Sequence, residues 1–191
     1  MYKIKQEDLF SPEEYEKIRD KENRTVIELE KNRRISTKTF SFLFEAPKIV
    51  INQINEMIYL EKIKNTEDIE DLIRIYSEIL PGKNELSVTM FIEFPDEKTM
   101  IKNIPRLAGI EKTVYISFDD ISIRATPEEG RSTDVLESTL QYLKFSFNES
   151  EMNKFLSCGN AFIETRHREF NESVRIPEDL LSTLKAELKN Y

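Results

Sequence analysis

The sequence predicts an α+β fold, a largely antiparallel sheet covered by helices, and three observations carry that reading. Strand-like alternation is the first. Phe40, Phe42 and Phe44 alternate with Thr39, Ser41 and Leu43, and Leu86, Val88, Met90, Ile92 and Phe94 share one face of ELSVTMFIEF. The second is a set of helix-period stretches with recognisable starts and stops. The third is their order, which mixes strands and helices without the regular β-α-β alternation of a parallel sheet.

Along the chain, Ser11-Pro12-Glu13-Glu14 combines an N-cap, a first-turn proline and acids suited to the helix dipole. It predicts a surface helix to about Asn32, with Tyr15, Ile18, Val26 and Leu29 on its inner stripe. Ala46-Pro47 opens a second helix that ends near Lys64, and Asn65 with Asp68 caps a third over residues 67–80. Pro81-Gly82 stops it, and the short connection implies an antiparallel helix hairpin over about 47–80. Pro95-Asp96 starts a short helix that Pro105 disturbs, and TVYISF and ISIRAT pair as a hairpin around Asp119-Asp120. Residues 140–147 read as a strand, 149–157 as a helix and 162–175 as a long strand or bent ribbon. Pro177 opens the last helix, striped by Leu180, Leu181, Leu184 and Leu188. Residues 1–191 thus read as a single domain, and the loop TPEEGRSTD leaves room for a lobe boundary near 126–134.

Composition narrows the function classes. A net charge of −8 opposes broad binding to nucleic acid or to an anionic membrane, since both need a positive surface. No run approaches the apolar length of a membrane span, and MYKIKQEDLF lacks the apolar centre of a secretory signal, so a cytoplasmic location is expected. One cysteine, Cys158, leaves no internal disulfide framework and no self-contained iron–sulfur cluster. It reads either as a buried small residue at a helix end or as a redox thiol before Gly159. The sequence has no GxGxxG, Walker loop or GxSxG, so whether it is an enzyme is left open.

The second helix holds an anomaly. At about 100° per residue, Val50, Ile54, Met57 and Ile58 centre its apolar arc, and Glu61 projects between Val50 and Ile54. Gln53 lies between Leu60 and Met57, Glu56 sits at the arc's edge, and Asn52, Asn55 and Lys62 mark the solvent side. An ionised carboxylate among apolar groups is costly unless paired, metal-bound or protonated. Glu61 is therefore expected to meet an arginine from a neighbouring element, to rest at a solvated rim, or to serve a ligand or catalytic site. Lys31, Arg33, Arg34 and Lys38 form a basic knot suited to internal acids or to an anionic ligand. Glu164-Thr165-Arg166-His167 has the Glu-x-x-His spacing of a di-iron bundle, but such a bundle needs two of these motifs on helices and this chain has one histidine. His167 reads better as a hydrogen-bonded structural residue.

ELEKNRRISTKTFSFLFEAPKIVINQINEMIYLEKI, ILPGKNELSVTMFIEFPDE and LAGIEKTVYI together resemble the bacterial domain of unknown function 3501 over nearly the whole chain. The family's pattern shows a basic segment, an FLFE strand end, a QIxEM helix with a later acid and an ELSATLMIEF-like strand. Where the family reads His-Pro-x-Tyr, this chain has His167-Arg168-Glu169-Phe170. Matching segments make Arg33, Arg34, Glu45, Gln53, Glu56, Glu61, Glu93 and His167 the ligand-binding candidates that the resemblance implies. Its members are often encoded beside rubrerythrin-like proteins and iron–sulfur oxidoreductases, which implies a redox partner. The expectation is a non-enzymatic accessory or interaction protein for a rubrerythrin-like or iron–sulfur protein, with no nucleic acid or membrane partner. The alternative is a small-ligand or metal-binding enzyme built on a buried carboxylate, arginine and histidine cluster.

Overall fold

Ser11-Pro12-Glu13-Glu14 starts a helix as its chemistry dictates, in a computed structural model that describes residues 2–128 and 139–190. The Glu14 backbone donates to Ser11 Oγ at 3.3 Å while the Glu14 carboxylate accepts from the Ser11 backbone at 3.1 Å, a reciprocal cap. The chain divides into two units, Met1–Arg33 with Glu45–Pro81, and Arg34–Phe44 with Gly82–Tyr191. No helix among the described residues is long and apolar enough to cross a membrane.

The first unit is helical. It contains α1 (Pro12–Arg33), α2 (Pro47–Leu60) and α3 (Thr66–Ser77), preceded by a 3-10 turn at Gln6–Asp8. Tyr15 and Val26 are buried as the inner stripe of α1 predicts, and Ile18 and Leu29 are half-buried. Pro47 sits in the first turn of α2, where its missing N–H costs nothing. That helix ends at Leu60, short of the expected Lys64. The Ile63 amide donates back to the Ile58 carbonyl at 3.0 Å, and Lys62 takes a left-handed φ of 54°, the signature of a Schellman close. Asn65 caps α3 by accepting from the Asp68 amide at 2.8 Å. α3 stops at Ser77, three residues before the expected Leu80, and the buried Ile79 and Leu80 follow in turns.

The second unit carries two antiparallel sheets. One has the order β1 (Arg34–Ser36), β2 (Phe40–Phe44), β3 (Glu85–Ile92), β7 (Leu140–Ser146) and β6 (Thr126–Pro127). The other has the order β5 (Ile121–Arg124), β4 (Val114–Phe118), β8 (Phe162–Arg166) and β9 (Asn171–Arg175). Phe42 faces Met90 and Val88 faces Leu143 across the first sheet, so the two alternating runs meet in its centre. Every residue of β2 is buried, so the strand has two covered faces where one was expected. The expected hairpin around Asp119-Asp120 is present, with Phe118 opposite Ile121 and Asp119 at φ 47°, a left-handed setting that Asp tolerates.

Residues 162–175 form two strands rather than one. β8 and β9 pair from Phe162↔Arg175 to Arg166↔Asn171, and the turn between them is His167-Arg168-Glu169-Phe170. The core gathers the aromatics of β2, residues of both sheets, α5 (Glu149–Ser157) and the leucine stripe of α6 (Glu178–Asn190). A short α4 (Glu97–Asn103) precedes β4. The two sheets are tied at Thr39, whose amide and hydroxyl donate to Glu172 of β9 at 2.9 and 2.6 Å. Residues 129–134 of the expected lobe boundary lie outside the described residues.

Candidate functional site

The polar centre of the helical unit is Glu56. Tyr15, Arg19 and Asn23 recur every fourth residue of α1, which aligns them on one face. Asn52 and Glu56 are likewise one turn apart on α2. The Arg19 guanidinium grips Glu56 through two bonds, Nε to Oε1 and Nη2 to Oε2, each 2.8 Å. Asn23 Nδ2 donates to Oε1 at 2.8 Å, and the Tyr15 hydroxyl lies 3.0 Å from the same oxygen. That hydroxyl is also 2.8 Å from Asn52 Oδ1 and 3.3 Å from Asn23 Oδ1, so one proton is shared among three acceptors. Asn52 Nδ2 closes the ring onto Asn23 Oδ1 at 2.9 Å. Tyr59, one turn beyond Glu56, packs against both Arg19 and Tyr15.

Hydrogen bonds from Arg19, reinforced by Asn23 and Tyr15, outweigh partial burial and hold the Glu56 carboxyl down to about 2. Burial and the facing Glu56 push the Tyr15 hydroxyl well above its ordinary value. The cluster is therefore a carboxylate locked in its ionised form under a neutral phenol.

The expected burial of Glu61 is not found. Its side chain is exposed, because α2 ends at Leu60 and the last turn projects into solvent, where Leu60 itself is 58% exposed. The acid that meets an arginine from a neighbouring helix is Glu56. Asn52 and Asn55, expected on the solvent side, are buried: the first in the Tyr15 ring, the second accepting from the Phe10 amide at 3.0 Å. Gln53 is half-buried.

The remaining candidates fall into separate local groups. Arg33 and Glu45 are both buried, with Arg33 Nη2 donating to the Glu45 backbone carbonyl at 2.9 Å. Arg34 stacks on Phe91, its guanidinium 4.3 Å from the ring centre, and faces Glu93 at 3.6 Å. Ser41 Oγ donates to the same Glu93 at 2.9 Å. His167 occupies the β8–β9 turn, where its Nδ1 accepts from the Glu169 amide at 3.3 Å and its ring lies against Phe170. Cys158 caps the end of α5, with Sγ donating to the Phe155 carbonyl at 3.1 Å, and burial raises its thiol above the ordinary range. Among the described residues no three His, Cys, Asp or Glu side chains gather in a way that would hold a metal ion.

Tyr15, Arg19 and Asn23 were not among the candidates read from sequence. The available signal was their four-residue spacing from Tyr15, already assigned to the inner stripe of α1. Beside this cluster the helical unit is indented. A cavity of about 350 Å³ is lined by Leu9, Phe10, Ile58, Ile63 and Ile69, with Pro12, Glu13 and Lys64 among its polar and edge residues. A second of about 510 Å³ shares Pro12, Glu13 and Lys64 and adds Tyr59 and Leu60.

A family model described as a protein of unknown function (DUF3501) matches residues 3–188. Among solved structures, a crystal structure of a novel protein of unknown function from Burkholderia pseudomallei K96243 is similar throughout. It is 27% identical, with a TM-score of 0.90, covering 98% of this chain and 100% of that one. No curated protein matches.

Proposed function

The chain belongs to the DUF3501 family, whose description assigns no activity, and we propose that it is a non-enzymatic accessory protein for a rubrerythrin-like or iron–sulfur redox partner. The state of Glu56 carries this reading. A general base works best with a pKa near the operating pH. Glu56, held at about 2 and surrounded by four donor atoms, is instead built to stay charged and still. Its chemistry is spent on fixing α1 against α2. Cys158 is similarly occupied, buried and donating to a carbonyl.

A chain of net charge −8 suits recognition of a basic surface, because complementary charge speeds encounter and excludes like-charged competitors. The partner class is the one that the family resemblance implies. The test is affinity capture of the tagged protein from its native host, with cross-linking before lysis and identification of what elutes. Co-elution of a rubrerythrin-like or iron–sulfur protein, weakening as salt is raised, is expected. Capture of neither class after cross-linking overturns the reading. Substrate turnover by the purified protein alone would overturn its non-enzymatic half.

A further inference from the structure

We propose that the open face of the sheet β5-β4-β8-β9 binds a short stretch of single-stranded RNA. Strand alternation gives this sheet two different sides. Ile116, Ile123, Ile163 and Thr165 are buried on one, while half-buried Tyr115 and exposed Phe162 and Arg166 lie on the other. Phe162 stands opposite Ser117 on β4 and Arg175 on β9, a large ring among polar neighbours that is still 39% exposed. The Arg166 guanidinium lies over the Tyr115 ring, 4.3 Å from its centre. It donates to Glu164, Ser117 and Ser122 at 2.9, 3.1 and 2.6 Å, which fixes it while its side chain stays 44% exposed. Because Arg166 reaches Ser117, the residue opposite Phe162, the ring and the guanidinium adjoin. Unpaired bases stack on both kinds of surface with little regard to sequence.

Charge selects an anionic strand. The net charge of −8 disfavours broad nucleic-acid binding, and this face is the local exception. Its one acid among the described residues, Glu164, is neutralised by Arg166. Arg124 and Arg175 are exposed and meet no acid among the described residues. The β4–β5 turn at one end brings Asp119 and Asp120, the second bonded to Lys154 at 3.2 Å. Salt of about 0.15 M screens charges beyond roughly 8 Å, so the two arginines set the field that a phosphate meets here. The exposed side chains of Asn171 and Ser173 have no internal partner among the described residues. They offer hydrogen bonds to a ribose 2′-hydroxyl, the group that separates RNA from DNA. A duplex keeps its bases stacked inside and cannot use Phe162. An acidic peptide would use the arginines and leave both stacking surfaces idle.

The experiment titrates the full chain into a short fluorescein-labelled oligouridylate and follows anisotropy at several salt concentrations. Saturable binding is expected, with a log–log salt slope of about −1.4, since each neutralised phosphate of a single strand contributes about 0.7. Arg124→Gln with Arg175→Gln flattens that slope toward zero, and Phe162→Ala weakens binding about tenfold. The chain contains no tryptophan, so Phe162→Trp places a lone indole on the face. That variant should keep its affinity, and bound RNA should quench its emission. Circular dichroism confirms that these surface variants remain folded. The matched oligodeoxyuridylate binds more weakly, and duplex RNA does not compete. Absence of saturable binding, an unquenched indole, or unchanged affinity in Phe162→Ala overturns the proposal. So does equal binding of the DNA strand, or equal displacement by duplex RNA or by polyglutamate of the same charge.

Discussion

Glu56→Gln tests whether the ring of side chains around this acid is structural. The amide keeps the shape but presents an N–H₂ to Arg19 and leaves the guanidinium without its counter-charge. The pair is part-exposed, with Arg19 at 35% and Glu56 at 22%, so solvent trims its worth, and a loss of about 2 kcal/mol is expected. The pH dependence has a fixed sign. A carboxyl lowered from 4.5 to about 2 contributes fully above pH 4.5, and that contribution disappears as pH falls toward 2. Urea unfolding between pH 7 and 3 should show the two proteins converging as the solution is acidified; a constant gap would mean that another group is responsible. Sequence supplied half of this site. It said that an acid on the second helix needs an arginine from a neighbour, but it chose Glu61. The helical phase was carried past Leu60, and nothing local in YLEKIKN announces a stop, because the closing residue is a lysine rather than glycine.

Lys62 is also the point at which the helix ends can be tested. A left-handed φ of 54° costs an L-residue roughly 1–2 kcal/mol and costs glycine nothing, though glycine gives back part of this as extra freedom in the unfolded chain. Lys62→Gly should therefore stabilise the protein by about 0.5–1 kcal/mol, read as a raised midpoint in thermal or urea unfolding. A lowered midpoint would show that the lysine side chain contributes more than its backbone costs. Other elements were legible at this scale: a helix was expected over 149–157, where α5 lies, and β4 and β5 pair around Asp119-Asp120 as expected although the favoured Asn-Gly or Asp-Gly turn is missing. The β8–β9 hairpin was not, since its turn, His167-Arg168-Glu169-Phe170, contains neither glycine nor proline. Alternation identified β2 but not its second covered face, because Ser41 is buried despite being polar.

The whole molecule is acidic, and its field should dominate non-specific encounters. At about 0.15 M salt the protein is expected to leave duplex DNA unshifted on native gels, and a retarded band at that ionic strength would show a basic surface that the net charge conceals. Fold class was readable from the order of the elements, yet the division of the chain was not. It turns on Arg34–Phe44, a segment of the sheet-bearing unit placed between two stretches of the helical one. That placement has a consequence for synthesis on the ribosome. The interior strand β2 is translated with only β1 to pair with, and its other neighbour begins at Glu85, about 40 residues later. At about 5–20 residues per second the nascent chain holds Phe40, Phe42 and Phe44 on an open strand edge for roughly 2–8 s. A ribosome stalled near Pro81 would keep that sticky ribbon on display, making truncated products natural clients for chaperones.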